Sequence, residues 1–174
     1  MVLRSVFLIA LAAMVCVRIA AQASPTPVPG GANQVTAVSA KLGDTVFNGD
    51  LRIKVEELRD ATAADHPERM LPSANQKVMV MSALLHNGLH RDFLDLLTYT
   101  LADADEVTFD IPSNYLTNAN LHIFQGAAAR QTAMFVVDKS FVPVKLIVRC
   151  ATCASNDAFR AVRFTIPATA HSGS

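Results

Sequence analysis

The chain has 174 residues, of which 51% are hydrophobic and 17% charged, with 15 basic and 15 acidic residues. This length allows one domain with a sizeable core. The charges balance and form no clustered basic face, which argues against nucleic acid or anionic lipid as a partner.

The first 23 residues have the features of a secretory signal peptide. Arg4 gives a positive start, residues 6–17 are apolar, and residues 21–23 form an A-x-A cleavage signature. The apolar stretch is short for a membrane span, which needs about 20 residues. We expect cleavage after Ala23, a secreted or periplasmic product and no stable membrane span after cleavage. An uncleaved anchor is the alternative.

Three further segments follow from composition. Residues 24–34 contain three prolines and two glycines, which predicts an extended Pro/Gly-rich tether. Residues 35–167 form the predicted domain. Residues 168–174 follow a strand-ending proline and are expected to be a disordered tail.

The most apolar stretch of the domain is residues 77–86, with sequence KVMVMSALLH. It ends at Asn87-Gly88, and a run of this length before turn residues predicts a strand buried on both faces. Periodicity alone does not separate this strand from a buried helix.

Alternating patterns predict further strands. In residues 51–56, Leu51, Ile53 and Val55 alternate with charged residues, which indicates a half-buried strand. The preceding Asn48-Gly49 predicts a type I′ hairpin turn, in which both central residues need φ > 0. The remaining predicted strands are residues 35–40, 107–111, 131–137, 144–150 and 161–166.

The segment from Phe93 to Leu101 fits both periods, since its apolar residues match strand and helix spacing. Thr98, Tyr99 and Thr100 favour a strand because β-branched and aromatic residues are enriched there. Residues 60–75 and 112–120 are predicted loops. The first is long for a compact domain, and such loops often carry function.

About seven to nine short strands without a long helix predict an all-β fold, an antiparallel sandwich or barrel. Turn glycines and strand patterns recur in a recognisable order, in residues 41–46, 49–55, 87–88, 101–105, 125–126, 133–137 and 144–148. This order resembles the bacterial extracellular immunoglobulin-like domain of unknown function, the group that includes a mycobacterial immunoprotective secreted antigen. The resemblance covers residues 40–149. It implies an immunoglobulin-like β-sandwich on an exported protein without known catalysis, and it supplies no functional residues.

Cys150 and Cys153 remain after removal of the leader, and in an exported protein a close pair is most simply a disulfide. A redox C-x-x-C normally opens a helix. Here it follows a predicted strand, so the interpretation we favour is a disulfide that pins a turn. A metal site and a redox site are the alternatives.

Soft ligands for copper occur near the central strand, where His86 and His90 follow Met79 and Met81. We favour the methionines as core residues, because flexible Met is a common core filler.

Six acidic residues form a loose group that offers weak calcium ligands but lacks EF-hand spacing: Asp92, Asp95, Asp103, Asp105, Glu106 and Asp110. We favour a solvated turn here. Ser82 lies in the central strand, outside any G-x-S-x-G.

No catalytic, cofactor or metal residues are therefore assigned, and the disulfide Cys150–Cys153 is the one predicted site. We expect an exported non-enzymatic binding or adaptor module that presents residues 60–75 and 112–120 to a protein or cell-envelope partner. A periplasmic copper-binding protein is the first alternative, and a thiol-redox protein is the second.

Overall fold

A computed structural model describes residues 37–111, 115–154 and 158–167 of the chain. The predicted signal peptide, tether and tail lie outside these residues. The described residues form nine strands. These are β1 (Ala37–Lys41), β2 (Thr45–Phe47), β3 (Leu51–Asp60), β4 (Gln76–Asn87), β5 (Leu97–Ala102), β6 (Thr108–Asp110), β7 (Ala128–Asp138), β8 (Lys145–Cys150) and β9 (Ala161–Thr165).

The strands form two sheets, a five-stranded one in the order β1-β9-β8-β5-β6 and a four-stranded one in the order β2-β3-β4-β7. All neighbouring strands are antiparallel except β1 and β9, which run parallel. The two sheets enclose one main hydrophobic core. The prediction of an all-β, immunoglobulin-like sandwich of about seven to nine strands is confirmed.

The central strand β4 is paired along its length with β3 on one side and with β7 on the other. Met79 and Met81 point into the core between the sheets, whereas Val78 and Val80 are buried on the outer face. The strand prediction for this stretch is correct and the helix alternative is wrong, because neighbouring strands take up the backbone hydrogen bonds of β4 on both edges.

The period-2 alternation of apolar residues correctly predicted which side chains of β3 and β9 are buried. Leu51, Ile53 and Val55 on β3 are fully buried, as are Val162 and Phe164 on β9. Strand β5 begins only at Leu97, after the predicted start at residue 93. Phe93 instead makes a single bridge to Ile123, with reciprocal backbone bonds of 2.9 Å.

The hairpin between β2 and β3 exists, but its turn differs from the predicted one. Asn48 N–H donates to the carbonyl of Leu51 at 3.0 Å, which makes Gly49 and Asp50 the central residues. Of the Asn48-Gly49 pair only Gly49 has a positive φ, 113°. Asn48 instead uses its side-chain Oδ1 to accept from the backbone N–H groups of Asp50 and Leu51, at 3.1 and 2.9 Å.

The first predicted loop contains two short 3₁₀ helices, Ala63–Asp65 and Pro67–Met70. They follow one another in the connection between β3 and β4. Nowhere in the described part of the chain is a helix both long and apolar enough to cross a membrane.

Candidate functional site: a groove between two loops

The proposed copper ligands lie in different environments. Met79 and Met81 are fully buried between the sheets. Because successive side chains of a strand point to opposite faces, His86 lies on the other face of β4 from the methionines. His90 is exposed after the strand has ended. The structure therefore does not bring these four side chains together.

The six acidic residues divide between the two ends of β5. Asp92 and Asp95 come before β5 in the chain, whereas the other four come after it. Asp92 accepts from the ring of His122 at 2.9 Å, and this bond, with that from Gln125 N–H, lowers the pKa of the Asp92 carboxyl. Asp103 Oδ1 accepts from the backbone N–H groups of Asp105 and Val107 at 3.0 and 2.8 Å, as in a tight acidic turn. Ser82 is buried on β4.

The two predicted loops meet at one groove on the outer face of the four-stranded sheet, with a volume of about 340 Å³. We call it the loop groove. The first loop contributes Asp65, His66, Arg69 and Met70; the second contributes Tyr115, Leu116 and Thr117; and β7 contributes Thr132 and Met134. Residues 112–114 of the second predicted loop lie outside the described residues.

An ion pair anchors the first loop to the sheet. Arg59, near the end of β3, donates from Nη1 and Nη2 to the two carboxylate oxygens of Asp65, at 2.7 and 3.0 Å. Asp65 Oδ2 also accepts from the backbone N–H and the hydroxyl of Thr62, at 2.7 and 2.8 Å. The Arg59 guanidinium, with help from Thr62, holds the pKa of the Asp65 carboxyl well below its usual range. The same contact raises the pKa of Arg59.

Both loops contain backbone in the left-handed region. Four non-glycine residues of the described part have positive φ, and three of them belong to these loops: His66 at 54°, Leu71 at 50° and Asn118 at 52°. Leu71 is also 85% exposed, which is unusual for a large apolar residue. Asn and His adopt this region more readily than most residues, so Leu71 is the residue of the three for which it is unfavourable, and such strained positions concentrate at functional sites.

The second loop is bonded to the edge of β7. Thr117 N–H donates to the carbonyl of Thr132 at 2.9 Å, and Thr132 N–H donates to the Thr117 hydroxyl at 2.8 Å. Deeper in the protein, Gln131 Nε2 donates to the carbonyl of Asn118 at 3.1 Å. One strand therefore supplies both a wall of the groove and the support of its second loop.

The groove combines apolar and cationic surface. Met70, Leu116 and Met134 supply apolar lining. Arg69 is exposed and makes no ion pair within the described residues, whereas His66 is 3.2 Å from Glu68 Oε1. Asp65 is paired with Arg59, and the charge of Arg69 helps to lower the pKa of the neighbouring Glu68, so Arg69 is a partly balanced but exposed cation at the groove. Such a surface suits an apolar side chain that is flanked by an acidic group.

A second cavity, of about 430 Å³, lies beside β5 and shares Leu116 with the loop groove. Its lining includes Asp110 and Arg149 from the neighbouring strands. Thr100 donates a short hydrogen bond to Asp110 there. Two of the polar side chains that line this cavity, those of Thr100 and Asp110, are therefore already hydrogen-bonded to each other.

The cysteines lie at the opposite end of β8 from its entry at Lys145. Cys150 ends β8 and is joined to Cys153 by a disulfide, and both residues are half-buried against the core. The carboxylate of Asp95 lies beside them: its oxygen and the two sulfur atoms are all within 4.8 Å of one another. No helix begins between Ala151 and Ala154, in contrast to the usual redox arrangement.

Comparison with known proteins adds the following. No family model matches the chain, and no curated protein matches it. An uncharacterized β-sandwich protein from Clostridium difficile 630 is similar in structure, with 10% identity, a TM-score of 0.48 and coverage of 82% of this chain and 99% of its own. MPT63, a secreted protein from Mycobacterium tuberculosis, has 16% identity, a TM-score of 0.48 and coverage of 74% and 97%.

Sequence reasoning identified both groove loops but missed the residues that complete the site. Met134 lies partly exposed on the outer face of β7, and the sequence analysis did not single it out. Its alternation with Ala133 and Phe135 was the available signal. Asp95 was grouped with other acids, and its position beside the cysteines had no signal in the sequence.

Proposed function

We propose that this chain is an exported, non-enzymatic binding module that holds a segment of a partner protein in the loop groove. One observation carries the proposal: two loops that are far apart in the sequence line one groove together with β7. The left-handed backbone of Leu71 in the first loop supports it, because a strained conformation is maintained where the surrounding structure fixes it.

The partner segment that fits the groove has a large apolar side chain next to an acidic residue. The apolar side chain would pack on Met70, Leu116 and Met134, where burial contributes about 25 cal/mol per Å² of apolar surface. The acidic residue would meet the guanidinium of Arg69, which offers bidentate hydrogen bonds to a carboxylate. Arg and aromatic or apolar anchors of this kind commonly dominate binding energy.

Export is part of the same proposal. The leader with its A-x-A signature, cleaved after Ala23, and the disulfide between Cys150 and Cys153 support a secreted or periplasmic location. Mass spectrometry of the protein from its native envelope or medium tests this directly. We expect a chain that begins at Ser24 and has lost two hydrogens at the cysteines; a retained leader would contradict export by cleavage.

The binding test uses the mature chain and a displayed library of random peptides. We expect selection of peptides with an apolar residue beside an acid, and we expect Arg69→Glu to weaken their binding by at least tenfold, a loss of about 1.4 kcal/mol. Lys41→Glu is the matched control, since it makes the same charge change on the exposed side of β1, at the far edge of the other sheet. Equal losses in both variants, or no enriched peptide, would refute the groove as the binding site.

The two alternatives from the sequence have separate tests. Copper binding by His86, His90, Met79 and Met81 would require the methionines to leave the core, and it predicts a stoichiometric copper adduct in the native mass spectrum. A thiol-redox role for Cys150 and Cys153 predicts ready exchange with small dithiols at neutral pH. An apo, oxidised protein that resists exchange would leave the binding module in place.

A further inference from the structure

We propose that reduction of the disulfide opens a binding site for a zinc-type divalent cation, with Cys150, Cys153 and Asp95 as its ligands. This site is separate from the loop groove, and it uses an acidic residue that the binding function does not involve. The three ligand atoms already lie within 4.8 Å of one another. Their convergence is the observation on which the inference rests.

The chemistry of the three ligands selects the metal. Thiolates favour soft or borderline cations over calcium and magnesium, and a C-x-x-C pair is a common unit of zinc sites. With Zn–S near 2.3 Å and Zn–O near 2.0–2.2 Å, ligand atoms in a tetrahedral site are about 3.3–3.8 Å apart. After reduction, side-chain rotation has to move the two sulfur atoms apart to this spacing, while the Asp95 oxygen starts within 4.8 Å of both of them. The fourth position is left for water.

The backbone around the ligands is held together without the disulfide. Ala151 N–H donates to the carbonyl of Leu96 at 2.8 Å, and Leu96 N–H donates to the hydroxyl of Thr152 at 2.8 Å. The Thr152 hydroxyl in turn donates to Oδ1 of Asp95 at 3.0 Å. These three hydrogen bonds join the segment that carries Asp95 to the turn between the cysteines. The ligands therefore stay in place when the S–S bond is broken.

Two hydrogen bonds also serve as outer contacts of the site. Cys153 N–H donates to Sγ of Cys150 at 3.0 Å, so one sulfur has an oriented donor. The Thr152 hydroxyl fixes the Asp95 carboxylate in the same way. Partners of this kind orient metal ligands, and their loss typically lowers metal affinity about 10- to 100-fold.

The redox step balances with a dithiol as reductant. The dithiol gives two electrons and two protons to the Cys150–Cys153 bond, forms its own disulfide and leaves two protein thiols. Binding of Zn²⁺ then displaces the two thiol protons into solvent and forms two Zn–S bonds and one bond to Asp95. In the reverse direction a small-molecule disulfide accepts two electrons from the two thiolates by thiol–disulfide exchange, becomes two thiols, restores the Cys150–Cys153 bond and releases Zn²⁺. The site is thus available only to the reduced protein.

The test is equilibrium dialysis of the mature chain against Zn²⁺, in oxidised form and after reduction with a phosphine that is then removed without air. We expect one zinc per reduced chain and none on the oxidised chain. With Co²⁺ in place of Zn²⁺, the reduced protein should show thiolate-to-metal charge-transfer absorption. Equal binding in both redox forms, or none in the reduced form, would overturn the proposal; so would unfolding of the reduced chain, since the hydrogen bonds above would then not hold the ligands.

Three variants test whether zinc is bound by the proposed set of three ligands or only by the free thiols. Asp95→Asn keeps an oxygen acceptor for Thr152 but removes the charged ligand, and it should raise the Zn²⁺ dissociation constant at least tenfold. Asp105→Asn removes an exposed carboxylate near the far end of β5 and should leave the constant unchanged. Cys153→Ser should abolish the charge-transfer band. If Asp95→Asn binds as tightly as the Asp105→Asn control, the carboxylate is not a ligand and the assigned site is wrong.

Discussion

The hydroxyl of Tyr99 donates a 2.6 Å hydrogen bond to Oε1 of Gln131 across the interior of the sandwich. Tyr99 belongs to β5 of one sheet and Gln131 to β7 of the other, and both side chains are buried. The same amide donates from Nε2 to the carbonyl of Asn118. A single buried pair therefore links the two sheets and the second loop of the groove.

Replacing Tyr99 by Phe should destabilise the protein. The ring stays buried, but the buried Oε1 atom of Gln131 loses its donor, which typically costs about 1–3 kcal/mol. Urea unfolding followed by circular dichroism measures the change. Tyr115→Phe is the control, since Tyr115 is only partly buried in the groove wall, and its effect should stay within about 0.5 kcal/mol. Equal stability of the Tyr99→Phe variant and the parent would show that this bond contributes nothing.

Stability should also fall at alkaline pH because of the same residue. Burial raises the pKa of Tyr99 well above its ordinary value of about 10. Below that value Tyr99 is protonated in both states, so it adds no pH dependence; above it the unfolded chain loses the proton first, and stability declines as pH rises. We expect the unfolding free energy of the parent to decrease more between pH 9 and 11 than that of Tyr99→Phe. Parallel curves for the two proteins would contradict this.

Gly49 should be far less tolerant of substitution than Gly43, although both have positive φ, 113° and 91°. A Cβ at Gly49 would lie 2.0 Å from the carbonyl oxygen of Ala158, whereas a Cβ at Gly43 would meet no atom within 4 Å. Gly43→Ala introduces only backbone strain and should lower the free energy of unfolding by about 1 kcal/mol. Gly49→Ala must also displace the backbone before β9, so we expect about 3 kcal/mol or more. Thermal unfolding of the two variants tests the ranking.

The parts of the fold that depend on local pattern could be predicted from the sequence. The alternation of Leu51, Ile53 and Val55 fixes which face of β3 is buried, because a side-chain period of two leaves no other choice. The burial of Met79 and Met81 follows from the length and composition of their run. What escaped prediction depends on residues distant in the chain. Asn48 looked like a turn residue, yet its Nδ2 donates at 3.0 Å to the carbonyl of Arg160, 112 positions away.

In the candidate sites, too, the features set by local sequence could be predicted, and those set by residues distant in the chain could not. The length and polarity of residues 60–75 marked a loop with scope for function, and it does border the groove. The outward side chain of Met134 and the pairing of Thr152 with Asp95, 57 positions apart, are set by how the sheets fold together. Spacing in the sequence carries no information on such contacts, since they depend on strand order and register.

The ion pair between Arg59 and Asp65 should make the first groove loop sensitive to acid. Because the hydrogen bond from Arg59 lowers the pKa of Asp65 in the folded protein, the pair stabilises the fold above the ordinary carboxyl value of about 3.9 and loses this contribution as pH falls further. Asp65→Asn removes the charge and should lower the unfolding free energy at pH 7 by about 1 kcal/mol. The difference between parent and variant should shrink as the pH is lowered from 4 towards 2. Glu68→Gln is the control on the same loop, where the carboxylate is exposed and its side-chain ion-pair partner is His66, at 3.2 Å. A constant difference across this range would mean that Asp65 acts through shape and not through its charge.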